Sequence, residues 1–229
     1  MSYTVSTATV VFPDKKAPSS FSTGYGSQKK PRAHIDIELE EGYERTIWIP
    51  VRVARAYVKD APVLPMDLTD YRASVEALCR SVAFTMVTEM LSRRDHSSGE
   101  VRDKLATYGF TDSIIDDAVN RAKQHRFIDD NRFCGYFIEE RKRRGWGRRK
   151  IELELKRRHI VIEDIPGYPE RYFSEDDDLA RAEKLLERRR VPEERAFEKL
   201  VRFLLSKGFS YRVAADAVKA KIDAQRALD

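Results

Sequence analysis

The spacing of hydrophobic positions changes twice along the chain. Residues 1–32 are rich in Ser, Thr, Gly, Pro and Lys and carry no apolar period, which predicts a disordered tail. Residues 34–53 alternate. Ile35, Ile37 and Leu39 are separated by polar residues, Glu41-Gly42 offers a turn, and Ile47, Ile49 and Val51 alternate again. Period-2 patterning around a glycine predicts a β-hairpin. Pro50 cannot donate to a ladder and belongs at an edge or a strand end. Pro62 and Pro65 mark residues 54–66 as a connector with room for a short helical turn.

From Asp67 onward the period is helical. Leu78, Val82, Met86 and Met90 recur every fourth residue, with Ala83, Val87 and Leu91 beside them, and predict a long amphipathic helix ending near Arg93-Arg94. Ser97 or Ser98 can cap the next helix, with Glu100 in its first turn, Val101 and Leu105 inward and Gly109 as its stop. Thr111 can cap a third, with Ile114, Ile115, Ala118, Val119 and Ala122 inward.

This pattern then recurs. Lys104–Phe110, Glu154–Ile160 and Phe203–Phe209 align, with Leu105, Leu155 and Leu204 each followed five residues later by Phe110, Ile160 or Phe209. A repeat of about 50 residues with three helical segments each is the mark of a helical array. In the second unit Asp129 can cap, Phe133, Phe137 and Ile138 line one face, and Ile151 and Leu155 follow Gly147. Pro166, Gly167 and Pro169 break its third segment. The third unit opens on Glu175–Asp178, with Leu179, Ala182, Leu185 and Leu186 inward. Pro192 is placed in the first turn of its middle helix, where Phe197, Leu200, Val201, Leu204 and Leu205 follow. The fold class expected is mostly α: three tandem three-helix repeats in an elongated curved array, preceded by a small β-hairpin and the tail. The divisions are 1–32 tail, 33–66 hairpin and connector, 67–128, 129–174 and 175–229 repeats.

Composition sharpens this picture in one place. The 229 residues hold 43 Lys+Arg and 38 Asp+Glu, a net charge of +5. Ten of the bases (Arg141, Lys142, Arg143, Arg144, Arg148, Arg149, Lys150, Lys156, Arg157, Arg158) fall within residues 141–158 against Glu152 and Glu154, so this segment is +8 and the remainder −3. Residues 33–78 are −4. Localised charge of this kind is an electrostatic footprint. Cys79 and Cys134 stand alone, which fits a reducing cytoplasm. No apolar run approaches the roughly 18 residues of a membrane span, and the start of the chain lacks a signal-peptide pattern.

Candidate chemistry is thin. The histidines (His34, His96, His125, His159) lie at no ligand spacing, and phosphate-loop, dinucleotide and nucleophile-elbow motifs are missing. Asp116-Asp117, Asp129-Asp130 and Glu139-Glu140 could serve a metal-dependent nuclease or simply cap helices and face solvent. Neither metal, cofactor nor catalysis is expected. Binding is better supported. Cations in Arg141–Arg144 suit a helix C-terminus, whereas Arg148, Arg149 and Lys150 begin a helix, where its dipole disfavours them. A phosphate backbone or an acidic surface would offset that cost, with the helix amides as added donors. Trp146 either stacks on a base or covers the core.

Ser97–Gly109, Phe127-Ile-Asp-Asp-Asn-Arg-Phe133, Arg141, Gly145-Trp-Gly147, Ile151 and Glu154-Leu155 together resemble the RecX family, bacterial regulators of the RecA recombinase, over residues 75–225. The family pattern places glycine where this chain has Arg126 and His159. The resemblance implies a modular helical protein without catalytic residues, and a monomer is expected. Such a protein lodges in the groove of the RecA–single-stranded DNA filament, inhibits ATP hydrolysis and strand exchange, and so modulates recombination, DNA repair and the SOS response. It implies that Arg132, Arg141 and Arg148–Lys150 face the filament or its DNA. Arg144, Trp146 and Arg157 complete the candidate set. The alternative is a helical nucleic-acid-binding module that acts without a recombinase.

Overall fold

The structure is a computed structural model that describes residues 3–14 and 29–227. The chain divides after Asp129 into two compact units. Mostly helical architecture with a small N-terminal antiparallel sheet is what the patterning predicts.

The first unit holds strands β1 (Thr4–Val11), β2 (Arg32–Leu39), β3 (Glu44–Pro50) and β4 (Met66–Asp67), in the order β3-β2-β1-β4. The expected hairpin is β2–β3, with Ile35 opposite Ile47 and Ala33 opposite Ile49. Ala33, Ile35, Ile37 and Leu39 point inward and His34, Asp36 and Glu38 outward. Pro50 ends the edge strand, as its missing N–H requires. The tail expectation needs correcting. Thr4–Val11 is a strand paired along β2 from Val5–Leu39 to Val11–His34. A register shift between Val5 and Thr7 turns Val5, Ala8 and Val10 to one face, which hides the two-residue period from inspection. Residues 15–28 of the predicted tail lie outside the described residues.

The connector also holds more structure than expected. Helix α1 (Val51–Lys59) follows directly from Pro50 and buries Val53, Ala54 and Tyr57, whose hydroxyl meets that of Tyr71 at 2.7 Å. Helix α2 (Leu68–Leu91) is capped by Asp67, which accepts from the Thr69 N–H at 2.7 Å. Its buried stripe runs through Tyr71, Val75, Cys79, Ala83, Met86 and Val87. Leu78, Val82 and Met90, expected at its centre, are only half-buried at the margin, because one helix must meet α1 and β1 as well as α4. Helices α3 (Ser98–Thr107) and α4 (Asp112–Gln124) complete the unit. All five apolar positions predicted for α4 are buried.

The second unit contains α5 (Asp130–Arg143), α6 (Arg148–Arg157), a 3₁₀ turn (Ile162–Asp164), α7 (Glu175–Glu187), α8 (Ala196–Lys207) and α9 (Tyr211–Arg226). Leu105, Leu155 and Leu204 are each fully buried. In each case the residue five positions on donates its N–H to the leucine carbonyl, at 3.3, 3.1 and 3.2 Å. The residue between takes a left-handed conformation: Gly109 (φ +88°), His159 (φ +54°) and Gly208 (φ +96°). This is the same Schellman close at three helix ends, with the apolar residue after it folded back on the leucine. Pro192 is a second correction: it lies before α8, which begins only after Arg195 in a left-handed turn. Nothing apolar precedes Phe197 in that loop except Val191 and Pro192, so no face exists for an earlier turn to bury.

Candidate functional site

The basic segment covers the end of α5, a Gly-Trp-Gly turn and all of α6. The turn is built from backbone outward. Gly145 (φ +76°) closes α5, with the Trp146 N–H donating to the Arg141 carbonyl at 3.0 Å. Gly147 is the residue before α6, and a Cβ there would overlap the backbone of Gly208 and Phe209. That close approach lets the Gly147 N–H donate to the Lys207 carbonyl at 2.8 Å and the Arg149 N–H to the Gly208 carbonyl at 3.1 Å. The start of α6 is therefore seated on the C-terminal carbonyls of α8. Two of the amides at this helix start, those of Gly147 and Arg149, already have partners. The dipole cost expected for Arg148, Arg149 and Lys150 is also reduced from within, because a helix C-terminus favours cations.

The +8 segment separates into cations tied down by the protein and cations left outward. Arg141 is largely buried, with its guanidinium 4.8 Å from the Phe137 ring centroid and 4.9 Å from that of Trp146. Lys142 donates to the Tyr172 carbonyl at 2.9 Å and pairs with Asp177 at 3.0 Å. Arg148 donates from Nε to Glu152 at 2.7 Å, and Glu152 also accepts from the Tyr168 hydroxyl at 2.6 Å. Burial alone would raise the Glu152 carboxyl, but the Tyr168 and Arg148 hydrogen bonds outweigh it and hold it below its ordinary range. Lys150 sits 4.3 Å from the Trp146 ring centroid. Trp146 is half-buried, accepts from Arg181 through its carbonyl at 2.7 Å, and packs against the second unit's core. Arg158 pairs with Glu154 at 2.7 Å over the Phe137 ring.

The outward set is Arg143, Arg144, Arg149, Lys156 and Arg157, all exposed. Arg144 pairs with Glu140, and Arg157 with Glu154 at 2.8 Å, yet both side chains remain about two-thirds exposed, at 60% and 64%. Arg143, Arg149 and Lys156 make no ion pair among the described residues. On α6, Arg149, Leu153, Lys156 and Arg157 fall at i, i+4, i+7 and i+8, so they form one stripe opposite buried Ile151 and Leu155. Leu153 is an exposed apolar residue in the middle of that stripe. Arg132 is exposed in the first turn of α5. Arg143, Lys156 and Leu153 are missing from the sequence-derived candidates. Their signal was available in the spacing from Arg149 and in Arg143's place beside Arg144.

The acidic pairs offer no comparable site. Asp116 pairs with Arg102 at 2.6 Å and Asp117 with Arg80 at 3.2 Å. Among the described residues no three His, Cys, Asp or Glu side chains are grouped to hold a metal ion, and no helix is long and apolar enough to cross a membrane.

Comparison with known proteins bears on the same segment. Residues 83–121 match the family model for the first three-helix domain of RecX, and residues 129–165 match that for the second. A protein named Regulatory protein RecX from Vibrio campbellii is 32% identical over 129 residues, covering 54% of this chain and 81% of that one. Its namesake from Clostridium botulinum is 26% identical over 204 residues, 86% and 93% of the two chains. A crystal structure of regulatory protein RecX superposes with a TM-score of 0.54 at 17% identity, covering 92% of this chain and 96% of the other. A RecX structure from Lactobacillus salivarius gives 0.56 at 20% identity, covering 65% and 99%. These structural likenesses speak to the fold.

Proposed function

The chain belongs to the RecX family, and from that premise we propose that it regulates a RecA recombinase by binding the RecA–single-stranded DNA filament. On this reading it inhibits the filament's ATP hydrolysis and strand exchange, and so modulates recombination and DNA repair, within the SOS response, in the cytoplasm. It acts as a monomer, without catalysis, cofactor or metal. The observation that carries the reading is the outward stripe of α6, where Arg149, Lys156 and Arg157 flank exposed Leu153. A polyanion meets the cations, and the leucine gives a protein surface something apolar to bury. Arg144 and Arg143 extend the positive surface from α5, and Arg132 adds a further exposed cation near that helix's start. Arg141, Arg148 and Trp146 are better read as the support that fixes α6.

The test is the single-stranded-DNA-dependent ATPase of the cognate RecA, titrated with the purified protein at low salt. Inhibition at substoichiometric ratios is the expected result. No inhibition across a wide titration contradicts the reading. Affinity for naked single strands equal to that for the filament would favour a module acting without the recombinase.

A further inference from the structure

A second basic surface lies in the first unit, where the sequence carries no net charge. Helix α1 carries Arg52, Arg55 and Lys59 at i, i+3 and i+7, on the face opposite buried Val53, Ala54 and Tyr57. That face forms one wall of an open groove of about 960 Å³. Lys30 and Tyr108 stand on another wall. The Lys30 N–H donates to the Thr107 carbonyl at 2.8 Å, which ties the approach to β2 to the end of α3, and its ammonium lies 4.1 Å from the Tyr108 ring centroid. Lys104, one turn before Tyr108, lies 5.7 Å from the same ring.

Four cations and one acid, Asp14, line this groove, although residues 33–78 as a whole carry −4. Arg52 is paired with Glu89. Arg55 and Lys59 are exposed and make no ion pair among the described residues. The Lys30 hydrogen bond leads in pulling the Tyr108 phenol below its ordinary range. Burial opposes it, and the charges of Lys30, Lys104 and Arg52 add to it. Positive charge drawn from two separated stretches of chain, Lys30 and α1, converges on one concave site, where a low-dielectric wall focuses it. Between the cations the lining is apolar and aromatic, with Phe12 43% exposed.

We propose that this groove is a binding site for single-stranded nucleic acid, separate from and independent of the α6 surface. Arg55, Lys59 and Lys30 take the phosphates, and a base stacks on Tyr108 or Phe12. Unpaired bases have free faces for such a surface. An acidic peptide would use the cations and leave the aromatic lining idle, so the lining favours the nucleic acid.

The experiment measures fluorescence anisotropy of a labelled oligothymidylate with the full chain over a salt series. It is run in the Arg149→Glu/Lys156→Glu background so that the remaining binding reports the groove. Arg55→Glu/Lys59→Glu is expected to weaken that binding at least about tenfold. It should also lower the slope of log affinity against log salt by about 1.4, two cations at about 0.7 each. The neutral pair Arg55→Gln/Lys59→Gln, checked for helix content by circular dichroism, should move both quantities the same way. Tyr108→Ala should lose about fivefold or more, as for one stacked base, while Tyr108→Phe retains wild-type affinity. Unchanged affinity and slope in both charge variants overturns the proposal. So does polyglutamate binding as tightly as the oligonucleotide with the same dependence on Arg55 and Lys59, which would assign the groove to an acidic protein segment.

Discussion

Helices α3 and α6 are the same length and bury equivalent pairs, Val101 with Leu105 and Ile151 with Leu155, yet they begin in opposite ways. At α3 the amides are satisfied by local side chains. Ser97 accepts from the Glu100 N–H at 3.1 Å, and Glu100 accepts from the Ser97 N–H at 3.4 Å. That closed box places an acid in the first turn, with Arg94 and His96 each 3.2 Å from its carboxylate. At α6 the seat is the carbonyl end of α8, admitted by a glycine. No side chain is needed to cap it. Its first turn is therefore free of acids and carries three bases, of which Arg149 stays outward. A helix start that closes on itself has its charge settled locally, while one seated on another helix leaves its side chains available to a partner.

The largest effect is expected from breaking the α6 seat. Gly147→Ala should lower the stability of the second unit by about 1–3 kcal/mol or more, since the new methyl overlaps backbone that cannot rotate away. Urea denaturation measures it, and a loss below about 0.5 kcal/mol would mean that α6 is not anchored there. At α3 the matching change is Ser97→Ala, which removes a fully buried cap and should cost about 1–2 kcal/mol by the same measurement.

The acid dependence of α3 follows from Glu100. Burial pushes its carboxyl up, but His96 and Arg94 outweigh burial and bring it to about 2, below its ordinary 4.5. A lowered folded-state value stabilises the native protein above pH 4.5, and that contribution is lost as the pH falls toward 2. Glu100→Gln keeps a capping side chain and should flatten the fall in stability across this window. An identical acid limb would contradict the assignment. The smallest effects are gains. His159 closes α6 where Gly109 closes α3, and Arg126 (φ +57°) is strained in the same way. His159→Gly and Arg126→Gly should each raise stability by about 0.5–1 kcal/mol, the left-handed strain relieved less the flexibility added. Lower melting temperatures would show that both side chains contribute more than they strain.

The contrast explains what the sequence could reveal. The leucine repeat, a serine cap at position 97 or 98, the β2–β3 hairpin and the proline break after α6 are local, and each was legible from spacing. Strand β1 was hidden by a bulge, and α1 by the prolines that follow it. The α6 seat was invisible because it joins Gly147 to Gly208, 61 positions apart, through backbone alone. Arg148 read as an outward charge although Glu152, one turn on in the same helix, holds it, and the +8 segment read as one surface when only part of it faces out.

The most direct test compares the wild type with Arg149→Glu/Lys156→Glu as inhibitors of the cognate RecA's DNA-dependent ATPase, with both proteins folded by circular dichroism. Reversing two outward charges, neither in an ion pair among the described residues, should raise the half-inhibitory concentration at least about tenfold, about 1.4 kcal/mol. An unchanged half-inhibitory concentration would contradict the assignment of the α6 stripe to the filament.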